Sequence, residues 1–170
     1  MPTALILLSV TAAGLFDLRW RRIPNWLVLA TIAASLIWHG LTGGLSGLWM
    51  SVAGLLVGTA ILFPLFLMRG MGAGDVKLFG ALGAAVTFKH VLTLFVLSAI
   101  IAGVMAVVRV LFARAIVSTA ANLWDLSKRF VRGRFSPHPA LSVDNQQALA
   151  IPFGLSVAIA TWVFVLFGRQ

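Results

Sequence analysis

The chain has 170 residues, of which 61% are hydrophobic and only 10% are charged, and it carries 13 basic and 4 acidic side chains. A soluble domain of this length could not cover so much apolar side chain with so little polar surface, so that class is excluded. The absence of cysteine also excludes disulfides, thiolate metal sites and cysteine nucleophiles.

Six apolar stretches near membrane-spanning length follow one another along the chain. They predict an all-α, polytopic membrane protein with six transmembrane helices. The first stretch has its basic residues after it, so we expect it to be retained rather than cleaved as a signal peptide. Only Lys89 and His90 separate the fourth predicted span from the fifth, so these two residues must form a very short turn. The predicted spans are 2–18, 26–42, 48–68, 75–88, 91–112 and 151–167.

Basic residues concentrate on one side of this topology. Eleven of the thirteen fall in the regions 17–25, 69–77 and 113–150 or at Arg109, which ends the fifth span. Because cytoplasmic loops carry the excess of lysine and arginine, these regions are predicted to be cytoplasmic and the N-terminus periplasmic. The net charge of +9 is therefore interpreted as a topology signal, and no nucleic-acid partner is expected.

The long cytoplasmic loop, 113–150, is predicted to contain an amphipathic helix between Arg114 and Arg134. Such a helix can lie on the anionic inner leaflet, although a role in docking substrate is an alternative. Residues 135–150 are rich in turn formers and predict irregular chain. The whole chain, 1–170, is predicted to be one membrane-embedded domain.

Small residues recur at four-residue spacing within the spans, a pattern typical of close helix packing in lipid. Ordinary bundle packing is the simplest interpretation of all these pairs. The pairs are Gly54/Gly58, Gly80/Ala84, Ala99/Gly103 and Gly154/Ala158.

All four acidic residues are aspartates at or beyond a predicted cytoplasmic boundary. Asp125 and Asp144 fall in polar surroundings and are expected to be solvated. Asp17 and Asp75 instead mark the cytoplasmic ends of two short spans, the first and the fourth. Ionisable residues in such places are functional candidates, because burying a charge there is costly.

Gly72 and Gly74 precede Asp75 in the run "GMGAGDVK". Glycine can adopt positive φ and lets another chain approach closely, as an extended peptide beside a carboxylate requires. The alternative is a flexible loop leading into a helix that Asp75 caps. The local pattern leaves both interpretations open.

Two segments, "FDLRWRRIPNWL" at 16–27 and "GMGAGDVKLFGALG" at 70–83, together resemble the type IV prepilin peptidases, the GxGD class of membrane aspartyl proteases. The family pattern corresponds here to Asp17 ending the first span, and to Asp75 closing Gly-x-Gly-Asp. "IPFG" at 151–154 is similar to the family's late Ile-Pro element. The remaining matching positions are Ile23, Pro24, Asn25, Gly72, Gly74 and Lys77.

The resemblance implies an aspartic endopeptidase of the bacterial inner membrane that removes the leader of prepilins or pseudopilins at the cytoplasmic face. Asp17 and Asp75 would be catalytic; two neighbouring carboxylates cannot both ionise cheaply, so they would share one proton. No metal or other cofactor is needed. Larger members of the family carry paired CxxC motifs in an N-terminal extension and also methylate the cleaved pilin. This chain has no cysteine and resembles the short Tad/Flp subgroup, which implies cleavage without methylation.

The other matching residues have less definite roles. Lys77 either biases the dyad electrostatically or anchors the interface, and Pro24 and Asn25 are expected to shape the turn into the second span. His39 and His90 are predicted to lie outside and His138 inside, so the histidines form no common site.

Two other functions remain as alternatives. A small transporter or proton-relay protein could use Asp17 and Asp75, but it would need polar residues along the spans, which offer little beyond Ser, Thr and Gly. A non-catalytic assembly component could keep the same fold. The presence of both aspartates favours the peptidase.

Overall fold

The computed structural model describes residues 3–131 and 152–167, and over these ranges every regular element is a helix, which confirms the all-α class. The predicted irregular stretch, 135–150, and Ile151 lie outside the described residues. The helices are α1 (Thr3–Trp20), α2 (Asn25–Leu67), α3 (Ala73–Phe112), α4 (Ile116–Val131) and α5 (Phe153–Phe167).

Helix α2 is a hairpin of two helical arms. As a straight rod its 43 residues would extend about 64 Å, roughly twice the hydrocarbon core of a bilayer. The backbone leaves helical geometry at Gly44, with φ 57° and ψ −145°, a conformation that glycine tolerates because it lacks a Cβ. A Cβ at Gly47 would collide with the carbonyl oxygen of His39, so the chain turns back on itself there. We call the arms α2a (25–43) and α2b (45–67).

Helix α3 reverses in the same way at Thr87, where φ is 65° and ψ 166°. The rings of Phe79 and Phe95 lie 6.1 Å apart, whereas sixteen residues of straight helix would separate them by about 24 Å. We call the arms α3a (73–86) and α3b (88–112). The predicted turn at Lys89 and His90 is therefore wrong, since both residues already belong to α3b.

Three of the described helices, α1, α2 and α3, are long and apolar enough to cross a membrane, and α5 is a shorter apolar helix. The reversals in α2 and α3 divide these helices into arms that coincide closely with the predicted second to fifth spans. That each arm makes its own crossing stays a prediction.

Arms α2b and α3a pack backbone against backbone through glycine. A Cβ at Gly54 would overlap the Gly83 carbonyl, and one at Gly58 would lie 2.8 Å from the Phe79 carbonyl oxygen. Ser51 donates to the Ala84 carbonyl at 2.8 Å, so the two arms run antiparallel. Close packing is thus confirmed for Gly54 and Gly58. It is wrong for Gly103, where no described atom lies within 4 Å of an added Cβ.

Helix α5 lies antiparallel against α1. The Trp162 indole N–H donates to the Thr11 hydroxyl at 3.0 Å, and a Cβ at Gly14 would sit 3.0 Å from the Ala158 Cβ. This register places the first turn of α5 beside Asp17, near the end of α1.

Helix α4 follows α3 after a short turn, and α3 is the described helix that it contacts. Its aromatic residue Trp124 is 64% exposed, and the Lys128 ammonium lies 5.2 Å from that ring. The predicted helix between Arg114 and Arg134 is therefore present over Ile116–Val131. Its position at a membrane surface stays a prediction.

Candidate active site

Three chain segments that are distant in sequence meet at one end of the bundle: the last turn of α1, the first turn of α3 and the first turn of α5. They bring together Asp17 and Asp75, which are close enough for their charges to interact. Asp17 is only 7% exposed, whereas Asp75 is half-buried. The structure therefore places the two predicted carboxylates in one site.

Asp17 caps the start of α5 from another helix. Its Oδ2 accepts a hydrogen bond from the backbone N–H of Gly154 at 2.7 Å, and the N–H of Leu155 supplies a second backbone hydrogen bond. Gly154 and Leu155 are the second and third residues of α5, the positions whose N–H groups a capping side chain normally satisfies. Pro152, which precedes the helix, has no side-chain acceptor, so Asp17 performs this role.

Asp75 caps the start of its own helix. It is the third residue of α3, and Gly72 occupies the position just before the helix. The Gly72 backbone donates to the Asp75 carboxylate, while the Asp75 N–H donates to the Gly72 carbonyl at 3.2 Å. This is the acidic half of a capping box. The capping interpretation of Asp75 is thus confirmed, and it does not conflict with a catalytic role.

Two helix N-termini consequently point at the pair of carboxylates. The positive ends of the α3 and α5 dipoles stabilise negative charge there, and the Arg21 cation adds to this at Asp17. These contributions offset part of the repulsion between two carboxylates held close together. The site can therefore hold one negative charge and one proton on two acidic groups.

The Gly-x-Gly-Asp glycines do not use the conformational freedom expected of them. Gly72 has φ −75° and ψ 148°, and Gly74 lies within the first turn of α3. Among the described glycines, positive φ occurs at Gly44, so Gly72 and Gly74 adopt conformations that other residues can share. A Cβ at Gly74 would lie 3.6 Å from the Ile23 Cβ, which means that Ile23 packs over this backbone.

The remaining motif residues lie at the starts of α2 and α3. Pro24 immediately precedes α2, with φ −63° and ψ 132°, and its carbonyl accepts from the Leu27 N–H at 3.2 Å. Pro24 therefore lies in the turn into α2, and its predicted role in shaping that turn stays a prediction. Lys77 is exposed, and its Nζ donates to the Asn25 Oδ1 at 3.4 Å.

Asn25 and Lys77 stand at one end of an apolar groove between α2a and α2b. Its volume is about 630 Å³. The groove is lined mainly by aliphatic side chains, with Phe63 at the same end as Lys77. The other lining residues are Val28, Leu29, Ile32, Leu55, Leu56, Thr59 and Ala60.

The contribution of Gly154 was not predicted from the sequence, in which Gly154 is half of a packing pair, "IPFG" is a matching element, and neither points to Asp17. A helix start with proline at the capping position lacks its own acceptor, and that signal could have indicated a cap from elsewhere.

The structure describes two of the three histidines, His39 and His90, both of which were predicted to lie outside. His39 Nε2 lies 3.1 Å from the Ala85 carbonyl oxygen, and the His90 ring lies 5.6 Å from that of Phe164. Within residues 3–131 and 152–167, no three His, Asp or Glu side chains group closely enough to hold a metal ion. His138 lies outside the described residues.

A comparison with known proteins identifies the family to which the chain belongs. A model of the type IV leader peptidase family matches residues 4–107, well over half of the chain and both aspartates. The chain belongs to this family. No solved structure matches significantly.

Two curated relatives carry the name prepilin leader peptidase/N-methyltransferase. The protein from Xanthomonas campestris is 29% identical over 165 residues, covering 91% of this chain and 45% of the relative. The protein from Aeromonas hydrophila is 27% identical over 173 residues, covering 97% of this chain and 49% of the relative. The chain thus spans about half the length of these relatives, and the absence of methylation stays a prediction.

Proposed function

We propose that this leader peptidase family member is an aspartic endopeptidase that cleaves the leader of Flp-type prepilins at the cytoplasmic face of the inner membrane. Its substrates are prepilins or pseudopilins, and Asp17 and Asp75 are its catalytic residues. The observation that carries the proposal is the meeting of these two carboxylates, 58 positions apart in sequence, at the starts of α3 and α5.

The chemistry follows from two acids that share one proton. The ionised carboxylate accepts a proton from a water molecule, and the protonated carboxyl group donates a hydrogen bond to the scissile carbonyl. Attack of the water on the carbonyl carbon then needs no further catalytic group. A site at the end of the bundle, beside the basic segment that contains Arg19, Arg21 and Arg22, fits cleavage at the cytoplasmic surface.

A proton-relay function is less well supported by the helix interiors. A relay needs polar groups that continue from the aspartates towards the other end of the bundle. Buried hydroxyls in the described helices mostly bond to carbonyls of their own helix, as Thr31 does to Leu27 at 2.8 Å and Ser98 does to Leu94 at 2.7 Å. Hydroxyls of this kind are satisfied within their own helix and do not extend a path from the aspartates.

Co-expression with candidate Flp-type prepilins tests the proposed function, with leader removal scored by a mobility shift on gels. Asp17→Asn and Asp75→Asn should each abolish cleavage while the protein still inserts into the membrane. The matched control is Asp125→Asn, because Asp125 is exposed on α4, away from both helix starts. Near-normal cleavage by either dyad variant would contradict an aspartic mechanism.

Reporter fusions test the orientation separately. A fusion at Gly44 should report the periplasm and a fusion near Ser136 the cytoplasm, because eleven of thirteen basic residues are assigned to the inner side. The opposite pattern would remove the cytoplasmic active site from the proposal, whatever the cleavage assay shows.

A further inference from the structure

We infer that Gly154 is a positioning residue, and that the first turn of α5 holds Asp17 as the ionised, proton-accepting member of the pair while Asp75 carries the shared proton. This inference rests on the proposed function for its chemistry. Its geometry rests on the α1–α5 contact alone.

The two carboxylates differ in what they accept. Asp17 receives two backbone N–H groups, from Gly154 and Leu155, at a position that is 93% removed from solvent contact. Asp75 receives one, from the Gly72 that precedes its own helix, and is half-buried. A carboxylate that accepts several backbone N–H groups is stabilised in its ionised form, because those donors interact more strongly with a charged oxygen.

The charged groups around Asp17 support the same assignment. Arg21, at the end of α1, is the cation that acts on it, and Asp75 is the neighbouring acid from α3. Helix α5 contains no titratable residue. In α2 the one titratable residue is His39, which contacts Ala85 at the far end of α3a. Burial of Asp17 opposes its negative charge. The two N–H donors, the start of α5 and the Arg21 cation oppose this effect at Asp17, and on that ground we place the shared proton on Asp75.

A side chain at position 154 would crowd Asp17. A Cβ there would lie 2.9 Å from the Asp17 Oδ2, 3.0 Å from its Cβ and 3.2 Å from its Cγ. The Asp17 side chain is buried against this backbone, so an alanine would force the carboxylate to move away from the N–H of residue 154. The glycine thus permits the hydrogen bond that fixes Asp17.

With these roles the reaction balances. Asp17 takes a proton from water as the water oxygen bonds to the carbonyl carbon, and the carbonyl oxygen takes the proton of Asp75, giving a neutral diol. Asp17 then returns its proton to the amide nitrogen as the carbon–nitrogen bond breaks. One diol hydroxyl gives its proton to Asp75, which leaves a carboxylic acid, an amine and both aspartates in their starting states.

Thermal unfolding of the detergent-solubilised full chain tests the contact independently of catalysis. Gly154→Ala should lower the melting temperature of the wild-type protein, and the drop should shrink in an Asp17→Ala background because the displaced side-chain atoms are gone. The matched control is Gly80→Ala, whose Cβ would crowd the Thr59 hydroxyl between α3a and α2b, a contact that does not involve α5. Its effect should be the same in both backgrounds. Equal drops for Gly154→Ala with and without Asp17→Ala would overturn the inference.

Prepilin cleavage tests the assigned roles. Gly154→Ala should lower kcat by about 10-fold, because the carboxylate is crowded by the added Cβ but shifts by less than the roughly 1 Å that costs about 100-fold. The acidic limb of its residual pH–kcat profile should move to higher pH by about one unit, the equivalent of one hydrogen bond to a charged group. Gly80→Ala should leave that limb in place. An unmoved limb in Gly154→Ala, or the same movement in both variants, would overturn the assignment.

Failure of the unmodified protein to cleave would contradict the proposed function, and the melting experiment would still decide the contact.

Discussion

Asp17 and Asp75 have the same functional group, and each holds the first turn of a helix, but they do so by different routes. Asp75 folds back onto Gly72, three residues away on its own helix. Asp17 reaches across to Gly154, 137 positions away, and is buried by that contact. One carboxylate is positioned by local chain geometry and the other by tertiary packing.

The difference indicates what each aspartate depends on. Asp75 should remain in place as long as α3 begins at Ala73, and water can reach its partly exposed side. Asp17 depends on the register between α1 and α5, which the contact of Gly14 with Ala158 and the bond of Thr11 with Trp162 help to fix. Changes of equal size should therefore have unequal effects at the two positions.

Lengthening each side chain by one methylene gives the largest contrast. Asp17→Glu places a longer side chain against the Gly154 backbone, already at 2.7 Å. Overpacking of this kind costs about 1–3 kcal/mol, and the displaced carboxylate should reduce cleavage by about 100-fold or more. Asp75→Glu should unfold at nearly the wild-type temperature, because glutamate suits the third position of a helix.

Cleavage and melting assays on the two glutamate variants give the measurement. Asp75→Glu should lose less activity than Asp17→Glu, since a half-buried side chain has room to adapt. Equal loss of stability in the two variants would show that both aspartates occupy equally confined positions. That result would contradict the proposed difference between Asp17 and Asp75.

Truncation of each side chain gives a smaller difference, in stability alone. Asp17→Ala leaves two buried N–H groups of α5 without an acceptor, at a cost of about 1–3 kcal/mol. Asp75→Ala removes a cap where water can replace it, at a cost of about 0.5–1 kcal/mol. The relief of repulsion between the carboxylates is common to both variants and cancels in the difference. Denaturant titration in micelles should find Asp17→Ala the less stable, and the reverse order would contradict the capping of α5 by Asp17.

The same local-versus-tertiary division decides how much of the site the sequence could predict. Asp75 and its preceding glycines lie within a few residues of one another, so the motif and the capping interpretation both pointed to the observed geometry. Asp17 was found as a carboxylate at the end of a short apolar helix. Its partner Gly154 was not found, because no pattern in one chain gives the register between α1 and α5.

The fold shows similar limits. The apolar runs predicted the helical arms closely, and Gly44 is where α2 reverses, as the break between the second and third runs suggests. The second reversal was predicted at Lys89 and His90 because polar residues favour a turn. The backbone instead turns at Thr87. Threonine is an unfavourable residue for positive φ, so composition gave no signal there.

The smallest effect is expected at the glycines beside Asp75. Gly72 has φ −75° and Gly74 is helical, so alanine can adopt both conformations without strain. An added Cβ would meet the Asp75 Oδ2 at 3.4 Å or the Ile23 Cβ at 3.6 Å, which are ordinary contacts. Gly72→Ala and Gly74→Ala should therefore change the free energy of unfolding by less than about 1 kcal/mol.

Gly54→Ala is the matched contrast, because its Cβ would overlap the Gly83 carbonyl, and it should destabilise the protein more than either. If the two motif variants melt normally but no longer cleave prepilin, the glycines serve substrate approach. If they melt early, the first turn of α3 is packed as tightly as that of α5, and the contrast between the two aspartates fails.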